Sequence, residues 1–343
     1  MKAALLYGPK ECRVGEIDTP LPADDEVLIR VESAGVCGSD MILYRQGRIG
    51  DSIITEPHVL GHEFSGTIAD TGANVADREI GMRVAVEPSF PCRTCEFCRA
   101  GRYNICPHLR FMGLPPTRGA YAEYATVPYD FAHPVPGRIS ADAAAMIEPL
   151  AVGVHAVELA ELRPGDTVAV LGLGSIGLLT AAVARISGAG TMYGTDLLPY
   201  RLERSRDHGV DVTINAGELD PIEAIRDATR GRGVDVVFEA AGAVETPQQS
   251  VDIVKPGGVV VMIGICGQEE IPLGFTPARR KELVLKWCRR FVRNFPRAIK
   301  LASSGSLDLD ALVTHRFPLE KTGDAFELVS SYADGVVKAT IEP

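Results

Sequence analysis

The chain has 343 residues and a mass of 36.7 kDa, which is enough for about two domains. Hydrophobic residues make up 46% of the sequence and charged residues 23%, a balance typical of folded proteins that excludes disordered, collagen-like and coiled-coil chains. The formal net charge of -10 argues against nucleic acid or an anionic membrane as a partner, since both select basic proteins. We therefore predict a folded protein whose partner is a small molecule.

The N-terminal residues and the cysteines both favour a cytoplasmic protein. Residues 1–9 carry one lysine and too short an apolar run for a signal peptide, and no apolar stretch approaches the roughly 18 residues of a spanning helix. Eight cysteines would suffice for four disulfides in a secreted protein, but four of the eight lie within fifteen residues. Metal ligation explains that clustering better than disulfide bonding does.

The predicted elements change character along the chain. From Ala3 to about Tyr129, short alternating apolar runs broken by glycine and proline predict an irregular, mostly β region. From about Gly153 to Val284, apolar strands alternate with helices. That alternation predicts a parallel sheet covered on both faces in a doubly wound, Rossmann-type α/β domain.

The tail contains predicted helices near 295–302 and 323–331 and a final strand at 336–341. We interpret it as returning to complete the first domain. The predicted organisation is a mostly β domain at 1–152 completed by 291–343, and an α/β domain at 153–290. The cleft between the two domains is the expected site.

A cluster of four cysteines has the spacing of a metal site. The pattern C-x2-C-x2-C-x7-C is formed by Cys92, Cys95, Cys98 and Cys106. Four thiolates on a short loop complete the tetrahedral coordination of Zn²⁺ and leave no position open for chemistry, so this zinc would be structural. Two disulfides or an iron–sulfur cluster are the alternatives, although the bacterial iron–sulfur pattern has a shorter final spacing.

A second set of candidate ligands is spread over the first 150 residues. The sequence G-H-E-x2-G-x5-G-x2-V covers His62 and Glu63, the hexapeptide G-V-C-G-S-D covers Cys37, and I-E-P-L covers Glu148. Each residue taken alone would be weak evidence, because a buried cysteine or a hydrogen-bonded histidine is common in any fold. Their combination is more specific than any one of them.

A glycine-rich turn lies between a predicted strand and a predicted helix. The residues G-L-G-S-I-G match the G-x-G-x-x-G fingerprint of dinucleotide-binding domains and predict cofactor contacts at Gly172, Gly174, Ser175, Ile176 and Gly177. Asp196 ends the next strand, where a carboxylate binds the adenosine ribose and repels the 2′-phosphate of NADP. NAD is therefore the predicted cofactor. Arg201 weakens this preference, since arginine binds phosphate well.

Taken in order, these motifs resemble the zinc-dependent medium-chain alcohol dehydrogenases, and within them the sorbitol (polyol) dehydrogenase branch. The resemblance covers essentially the whole chain, including T-H-R-F-P-L-E-K at 314–321. It implies a GroES-like, mostly β catalytic domain, a Rossmann-type domain, and a homo-oligomer, either a tetramer or a dimer.

The resemblance also implies a catalytic zinc on Cys37 and His62, with a third protein ligand from Glu63 or Glu148. The chain would then carry two Zn²⁺, one catalytic and one structural. In the polyol branch Glu63 is commonly the ligand, while the residue matching Glu148 contacts water beside the metal. One thiolate and one carboxylate make such a site neutral, and a second carboxylate would make it negative. Asp40 is the predicted hydrogen-bond acceptor for the other ring nitrogen of His62.

Further contacts follow from the same resemblance. Cofactor contacts are implied at Ala241, Gly242, Ile263, Gly264, Ile265 and Arg289, and substrate contacts at Leu43, Arg290 and Phe291. The polyol branch often has tyrosine at the positions of Leu43 and Phe291, and Tyr44 aligns one residue too late. Ile42 stands where other alcohol dehydrogenases have a relay histidine. Ser39 is then the predicted partner of the alcohol oxygen, and the proton would leave through water and Glu148.

The leading hypothesis is an NAD-dependent zinc enzyme that oxidises a polyol or related secondary alcohol to a ketone. A threonine-like amino-alcohol dehydrogenase or a sugar-acid dehydrogenase is the alternative within the family. The pair Arg289 and Arg290, in a basic run at 279–297, makes an anionic substrate credible. A non-catalytic NAD(H)-binding protein is a third possibility, disfavoured because every candidate metal ligand is present.

Overall fold

The computed structural model describes all residues, Met1–Pro343, and the chain divides into two compact units. The first unit comprises residues 1–148 and 295–343, and the second comprises residues 149–294. The sequence-based domain boundaries stand at 152 and 291, so the structural division lies a few residues away from them. Its first boundary falls inside the helix Ile147–Ala160.

The strands are numbered along the whole chain. They are β1 (Lys2–Gly8), β2 (Glu11–Glu16), β3 (Glu26–Gly35), β4 (Arg48–Ile49), β5 (Ser52–Ile53), β6 (His58–Val59), β7 (Glu63–Thr71), β8 (Arg83–Val86), β9 (Ser89–Phe90), β10 (Arg110–Phe111), β11 (Tyr124–Pro128), β12 (Ala132–Pro134), β13 (Val168–Leu171), β14 (Met192–Asp196), β15 (Val212–Asn215), β16 (Val234–Glu239), β17 (Val254–Met262), β18 (Val284–Trp287), β19 (Val313–Pro318) and β20 (Lys338–Glu342).

The α-helices are numbered in the same way. They are α1 (Gly38–Gln46), α2 (Glu96–Arg99), α3 (Ala141–Ala145), α4 (Ile147–Ala160), α5 (Ser175–Ile186), α6 (Pro199–Ser205), α7 (Pro221–Ala228), α8 (Thr246–Ile253), α9 (Phe275–Arg280), α10 (Phe295–Ser304) and α11 (Thr322–Ser331). Short 3₁₀ turns lie at Tyr103–Ile105, Tyr129–Phe131, Arg206–His208, Asp310–Leu312 and Leu319–Lys321.

The first unit is built on a mostly antiparallel sheet with strand order β12-β8-β7-β3-β20-β19, and β11 also pairs with β3. A smaller sheet has the order β2-β1-β6. In β3, β-branched residues suit a pleated, half-buried surface, and Ile29 packs in a core with Phe64, Tyr121 and Phe326. Strand β20 comes from the tail and pairs antiparallel with β3, so the tail completes this unit.

The second unit contains a six-stranded sheet with strand order β15-β14-β13-β16-β17-β18. Every neighbouring pair in it is parallel. All four residues of β13 and all five of β14 are buried, as expected for strands covered on both faces. The order reverses between β13 and β16, and the loops at such a reversal form the ligand crevice of doubly wound sheets. The predicted fold class is confirmed.

One helical stretch has the length and hydropathy of a membrane span. Residues Ala141–Ala160, which contain α3 and α4, include a window of mean hydropathy 1.4. The expectation that no apolar stretch approaches this length is therefore wrong. Because 83% of that window is buried within the protein, the stretch has the character of a core helix.

Candidate functional site

Three predicted metal ligands converge at the junction of β3, α1 and β7. Cys37 is the N-cap residue of α1, directly after β3. His62 immediately precedes β7, and Glu63 is its first residue. Because Gly35 pairs with Glu63 across the antiparallel strands, the sheet register brings the two segments together. One possible ligand atom from each of Cys37, His62 and Glu63 lies within 4.8 Å of the other two, and this donor set suits zinc.

Asp40 lies behind the imidazole of His62. Its Oδ1 is 3.5 Å from Nδ1 of His62, an arrangement that leaves Nε2 for a metal. Its Oδ2 accepts hydrogen bonds from the backbone N–H of Cys37 at 3.0 Å and from the hydroxyl of Tyr121 at 2.7 Å. Burial alone would raise the pKa of Asp40, but His62 and these hydrogen bonds lower it below its ordinary value.

Glu63 is held by a lysine that the sequence analysis did not single out. Nζ of Lys338 donates to Oε2 of Glu63 at 2.5 Å and to the backbone oxygen of Val36 at 3.2 Å. Glu63 is 1% exposed and Lys338 3% exposed. The carboxylate fits because residue 35 is glycine, since a Cβ there would lie 2.5 Å from Oε2 of Glu63.

Glu148, the other candidate carboxylate ligand, lies in the first turn of α4 and is buried. It is absent from the group whose ligand atoms all lie within 4.8 Å of one another, which contains Cys37, His62 and Glu63. Its charge nevertheless acts on Lys338, whose pKa is lowered by burial and raised by Glu63, Cys37 and Glu148, with a net increase. Glu63 therefore belongs to the three-residue group with the thiol and the imidazole, and Glu148 does not.

The remaining predicted groups of the first unit lie on α1. The hydroxyl of Ser39 donates to Sγ of Cys37 at 3.3 Å. Leu43 is fully buried in the hydrophobic core and has no surface exposed to a substrate. Ile42 is half-buried. The hydroxyl of Tyr44 donates to Oε1 of Glu327 at 2.6 Å and so is directed to α11.

The four cysteines of the second predicted metal site lie together on one loop. Neighbouring sulfur atoms are separated by 3.4 Å (Cys95 and Cys98), 3.6 Å (Cys92 and Cys106), 3.8 Å (Cys95 and Cys106) and 3.9 Å (Cys92 and Cys98). Tetrahedral zinc with Zn–S bonds of about 2.3 Å requires sulfur separations of about 3.8 Å, whereas a disulfide requires about 2.05 Å. The arrangement therefore fits a closed zinc site, and all eight cysteines of the chain are free thiols.

Backbone N–H groups point at these sulfur atoms. The N–H groups of Cys95 and Cys98 approach the sulfurs of Cys92 and Cys95, respectively, at 3.4 and 3.5 Å. Hydrogen bonds from the backbone of Thr94 and Cys95 lower the pKa of the Cys92 thiol to about 5. Such donors stabilise a thiolate, the form that binds metal.

The glycine-rich turn of the second unit follows β13 and leads into α5, whose N-cap residue is Gly174. Gly172 has a φ of +89°, and a Cβ there would lie 2.6 Å from the backbone of Ala241. A Cβ on Gly177 would lie 1.9 Å from the backbone oxygen of Gly172. Both positions thus require glycine, and the turn leaves the N-terminus of α5, with Ser175 and Ile176 in its first turn, open to bind a phosphate.

Asp196 ends β14 beside this turn and is buried. Its Oδ2 accepts the backbone N–H of Leu173 at 2.8 Å and its Oδ1 accepts that of Leu198 at 3.0 Å. Nη1 of Arg201 lies 3.7 Å from Oδ2, so the carboxylate has a cationic neighbour. The same Nη1 would lie 3.6 Å from a Cβ on Gly174, which places the guanidinium next to the glycine-rich turn.

Glu239 connects the two other predicted cofactor loops. Its Oε1 accepts the backbone N–H groups of Ala241 at 3.0 Å and Gly242 at 2.8 Å, and also the hydroxyl of Thr246 at 2.7 Å. Its backbone oxygen accepts the N–H groups of Ile263 at 2.7 Å and Gly264 at 2.9 Å. One buried residue therefore sets the positions of both loops.

The remaining predicted contacts lie near these loops in the sequence. Ile265 and Arg289 are exposed, Arg290 is half-buried with a φ of +56°, and Phe291 is fully buried. Like Leu43, Phe291 exposes no surface to a substrate in this structure.

Sequence reasoning missed three residues of these sites. Lys338 carries a charge at the start of an apolar strand, which is an unusual place for lysine. Glu239 is a carboxylate at the end of an apolar strand before a turn. These signals were available but unspecific. For Tyr121 no sequence signal distinguishes a tyrosine that anchors Asp40 from an ordinary core aromatic.

Comparison with known proteins places the chain in a family. The sequence profile described as "Alcohol dehydrogenase GroES-like domain" matches residues 23–137, and that described as "Zinc-binding dehydrogenase" matches residues 175–304. The sorbitol dehydrogenase of Bacillus subtilis is 39% identical over 100% of this chain and 97% of its own length. The D-xylulose reductase of Saccharomyces cerevisiae is 36% identical over 99% of this chain and 97% of its own length.

Solved structures give the same result. An oxidoreductase of unknown specificity from Escherichia coli has a TM-score of 0.94 and 33% identity, covering 99% of this chain and 98% of its own. A zinc-binding dehydrogenase from Sinorhizobium meliloti described as bound to NADP has a TM-score of 0.91 and 34% identity, covering 100% and 99%. An alcohol dehydrogenase from Escherichia coli CFT073 described in complex with NADH has a TM-score of 0.92 and 29% identity, covering 100% and 99%. With this fold and these ligand groups, the chain belongs to the zinc-binding alcohol dehydrogenase family and is an oxidoreductase.

Proposed function

We propose that the protein is an NAD-dependent zinc dehydrogenase that oxidises a polyol or related secondary alcohol to a ketone. The observation that carries this proposal is the convergence of Cys37, His62 and Glu63 within 4.8 Å. A carboxylate as third ligand is expected for the polyol branch of the family. The relatives named sorbitol dehydrogenase and D-xylulose reductase support the same substrate class.

In this proposal Cys37, His62 and Glu63 hold the catalytic zinc, and Cys92, Cys95, Cys98 and Cys106 hold a structural one. When bound, a zinc with an open coordination position lowers the pKa of a substrate hydroxyl towards neutrality. Asp40 holds the imidazole of His62 in the orientation that directs Nε2 to the metal. The cysteine loop contributes to folding instead of chemistry, because four thiolates leave no position for substrate.

Two side chains act on the proton of the alcohol. Ser39 is placed beside Cys37, and its hydroxyl can turn from that sulfur to the oxygen of a bound alcohol. Glu148 accepts the proton through water, since Ile42 offers no titratable group. A bound NAD would supply the acceptor for the hydride that leaves the alcohol carbon.

We propose NAD as the cofactor in preference to NADP. Asp196 presents a buried carboxylate at the end of β14, where a 2′-phosphate would meet its charge. Nη1 of Arg201 lies 3.7 Å from Oδ2 of Asp196 and offsets part of the carboxylate charge. We therefore expect only moderate discrimination between NAD and NADP. Related structures have been described with NADP and with NADH.

We also propose a homo-oligomer, either a dimer or a tetramer. Strand β18 is the last strand of its sheet, and its outer edge is free to pair with another strand. Val284 is 43% exposed and Trp287 68% exposed on this strand. A second copy of the chain would cover these apolar side chains.

A cytoplasmic location is proposed from the thiol chemistry. All eight cysteines are free, and a four-thiolate metal site persists in a reducing compartment.

A sugar acid is the second candidate substrate, because Arg289 is exposed and Arg290 follows it. Two adjacent guanidinium groups can bind a carboxylate.

The decisive test is a turnover screen with polyols, 2,3-diols, threonine and sugar acids, each with NAD and with NADP. We expect polyol or diol turnover with NAD to exceed all other combinations, and Cys37→Ser to abolish it. Asp196→Ala should raise the KM for NAD about tenfold. It should also reduce the preference of the enzyme for NAD over NADP. Arg201→Ala is the matched control and should increase the preference for NAD over NADP. Faster turnover with NADP than with NAD in the unmutated protein would contradict the proposed cofactor.

A further inference from the structure

The ion pair between Lys338 and Glu63 is buried and made by residues from opposite ends of the chain. The two residues are 275 positions apart, and their charged atoms lie 2.5 Å apart. Their side chains are 2% and 1% exposed, respectively. The ammonium has one further acceptor, the backbone oxygen of Val36 at 3.2 Å. An ion pair removed from water in this way is strongly destabilised when one partner is lost, because the other charge remains unpaired.

The charges around this lysine explain how the site can contain two carboxylates. Cys37, Glu63 and Glu148 each act on Lys338 through their negative charges. The ammonium offsets one of these three negative charges and a divalent metal would offset the other two, while Asp40 adds a further buried carboxylate behind His62. Without the ammonium, the same three groups would overcompensate the metal. This cation offsets the negative charge that a second carboxylate adds to the site.

The position of Lys338 is set by the backbone. It is the first residue of β20, and that strand pairs with the end of β3 through Thr340 and Gly35. Gly35 in turn pairs with Glu63 on β7. Three adjacent strands therefore hold the backbones of Lys338 and Glu63 in register.

We propose that Lys338 is a positioning residue for the catalytic metal site: it is the fixed counter-ion of Glu63 and competes with zinc for the charge of that carboxylate. This inference rests on the proposed function, because it takes Cys37, His62 and Glu63 as the zinc ligands. Lys338 itself contacts neither substrate nor cofactor in the proposal. Its effect is to limit how strongly the ligand set attracts the metal.

The test is zinc affinity, measured by competition with a chromophoric chelator on the purified full chain. Cys37→Ser serves as the blank, because it removes the catalytic site and leaves the cysteine loop. We expect Lys338→Met to bind the catalytic zinc at least about tenfold more tightly than the unmutated protein does, because the variant lacks the buried cation next to the ligands. Lys338→Arg keeps the charge and should bind zinc with an affinity within about threefold of the original.

The thermal stability of the metal-free protein is an independent test of the charge on Lys338. Lys338→Met should lower the melting temperature of the metal-free protein. Added zinc should raise the melting temperature of this variant more than that of the unmutated protein. If Lys338→Met does not fold, Lys338→Gln takes its place, because the glutamine amide keeps a hydrogen-bond donor near Glu63 and Val36 but carries no charge. Lys338→Gln should then bind the catalytic zinc about tenfold more tightly than the unmutated protein does.

Zinc binding that is unchanged or weaker than in the unmutated protein, measured in Lys338→Met or in the Lys338→Gln variant that replaces it, would overturn the counter-ion role. That outcome leaves the proposed function intact. If instead the unmutated protein and Cys37→Ser bind the same amount of zinc, the proposed catalytic metal site fails, and the inference fails with it.

Discussion

The hydroxyl of Tyr121 donates a 2.7 Å hydrogen bond to Oδ2 of Asp40, and both side chains are buried. Asp40 in turn lies 3.5 Å from Nδ1 of His62. The ring of Tyr121 also packs on Gly61, whose φ is +97° and where a Cβ would lie 2.9 Å from the ring. Tyr121 thus supports the candidate metal ligand His62 both through Asp40 and through the backbone next to it.

Removing the Tyr121 hydroxyl should affect both stability and metal binding. Tyr121→Phe leaves Asp40 with one fewer donor, and we expect the free energy of unfolding to fall by about 1.5–3 kcal/mol. Zinc affinity should fall by up to about tenfold, because Asp40 orients His62 less firmly. Denaturant titration and chelator competition measure the two effects. The control Tyr103→Phe removes a similar hydrogen bond to Glu87 and should leave the affinity for catalytic zinc unchanged. Equal zinc affinity in Tyr121→Phe and Tyr103→Phe would contradict this role of Tyr121.

The two proposed zinc sites should differ in what they support. Cys95→Ser opens the four-thiolate site, and we expect loss of one zinc and of about 4 kcal/mol or more in unfolding free energy. Cys37→Ser should lose the other zinc, keep most of the stability and lower turnover by at least about 100-fold. Elemental analysis, thermal unfolding and turnover rates separate these outcomes. Finding one zinc per chain in freshly purified unmutated protein is incompatible with this prediction.

Glu63 and Glu148 should have different roles, because only Glu63 lies within the group of three ligands. Glu63→Gln should lose the catalytic zinc. Glu148→Gln should retain it, slow turnover by about 10- to 100-fold and lose one limb of the pH–rate profile, since proton acceptance is impaired. Metal content and pH profiles of both variants check this. If Glu148→Gln empties the site while Glu63→Gln keeps its zinc, the roles are exchanged.

Glu239 should control cofactor affinity through the two loops that it holds. Glu239→Ala leaves two backbone N–H groups and the Thr246 hydroxyl without their acceptor, and we expect the Kd for NADH to rise by about tenfold or more. Glu239→Gln retains an acceptor oxygen and should stay within about threefold of the original. NADH fluorescence titration measures both.

Ser250→Ala is a suitable control for the Glu239 variants. It removes a 2.8 Å hydrogen bond from Ser250 to the backbone of Thr246 without touching the loops. NADH binding as weak in Ser250→Ala as in Glu239→Ala would show that general loss of local packing is responsible.

A buried histidine outside the proposed sites should make the protein sensitive to acid. Burial lowers the pKa of His155 to about 4 from an ordinary value of 6.5, so it is neutral in the native state. As the pH falls from about 6.5 to 4, the unfolded chain takes up a proton that the native protein does not, and stability decreases. His155→Leu should reduce this loss by on the order of 2 kcal/mol. Urea titrations at several pH values measure it, with the exposed His108→Asn as control; parallel pH dependences in both variants would exclude His155.

The sequence by itself determined the features that depend on neighbouring residues. Four cysteines on one short loop can reach a common metal because the loop is short, and their sulfurs lie together in the structure. The turn at Gly172 and Gly177 requires glycine because backbone atoms approach too closely for a Cβ. The alternation of apolar strands and helices between 153 and 284 predicted the parallel sheet, since each strand covered on both faces must be apolar throughout.

Tertiary structure alone decided the features that depend on residues far apart in the chain. The sequence left Glu63 and Glu148 as alternative ligands, and the register of β3 and β7 places Glu63 beside Cys37 and His62, which is why Glu63 is the proposed ligand. Leu43 matches a substrate-facing position by resemblance, but its side chain lies in the core. Lys338 was an unremarked residue of the last strand until strand pairing placed its ammonium on a carboxylate 275 residues away. The energy of a charge depends on which charges lie within a few ångströms and on how much water is excluded, and only the folded chain determines both.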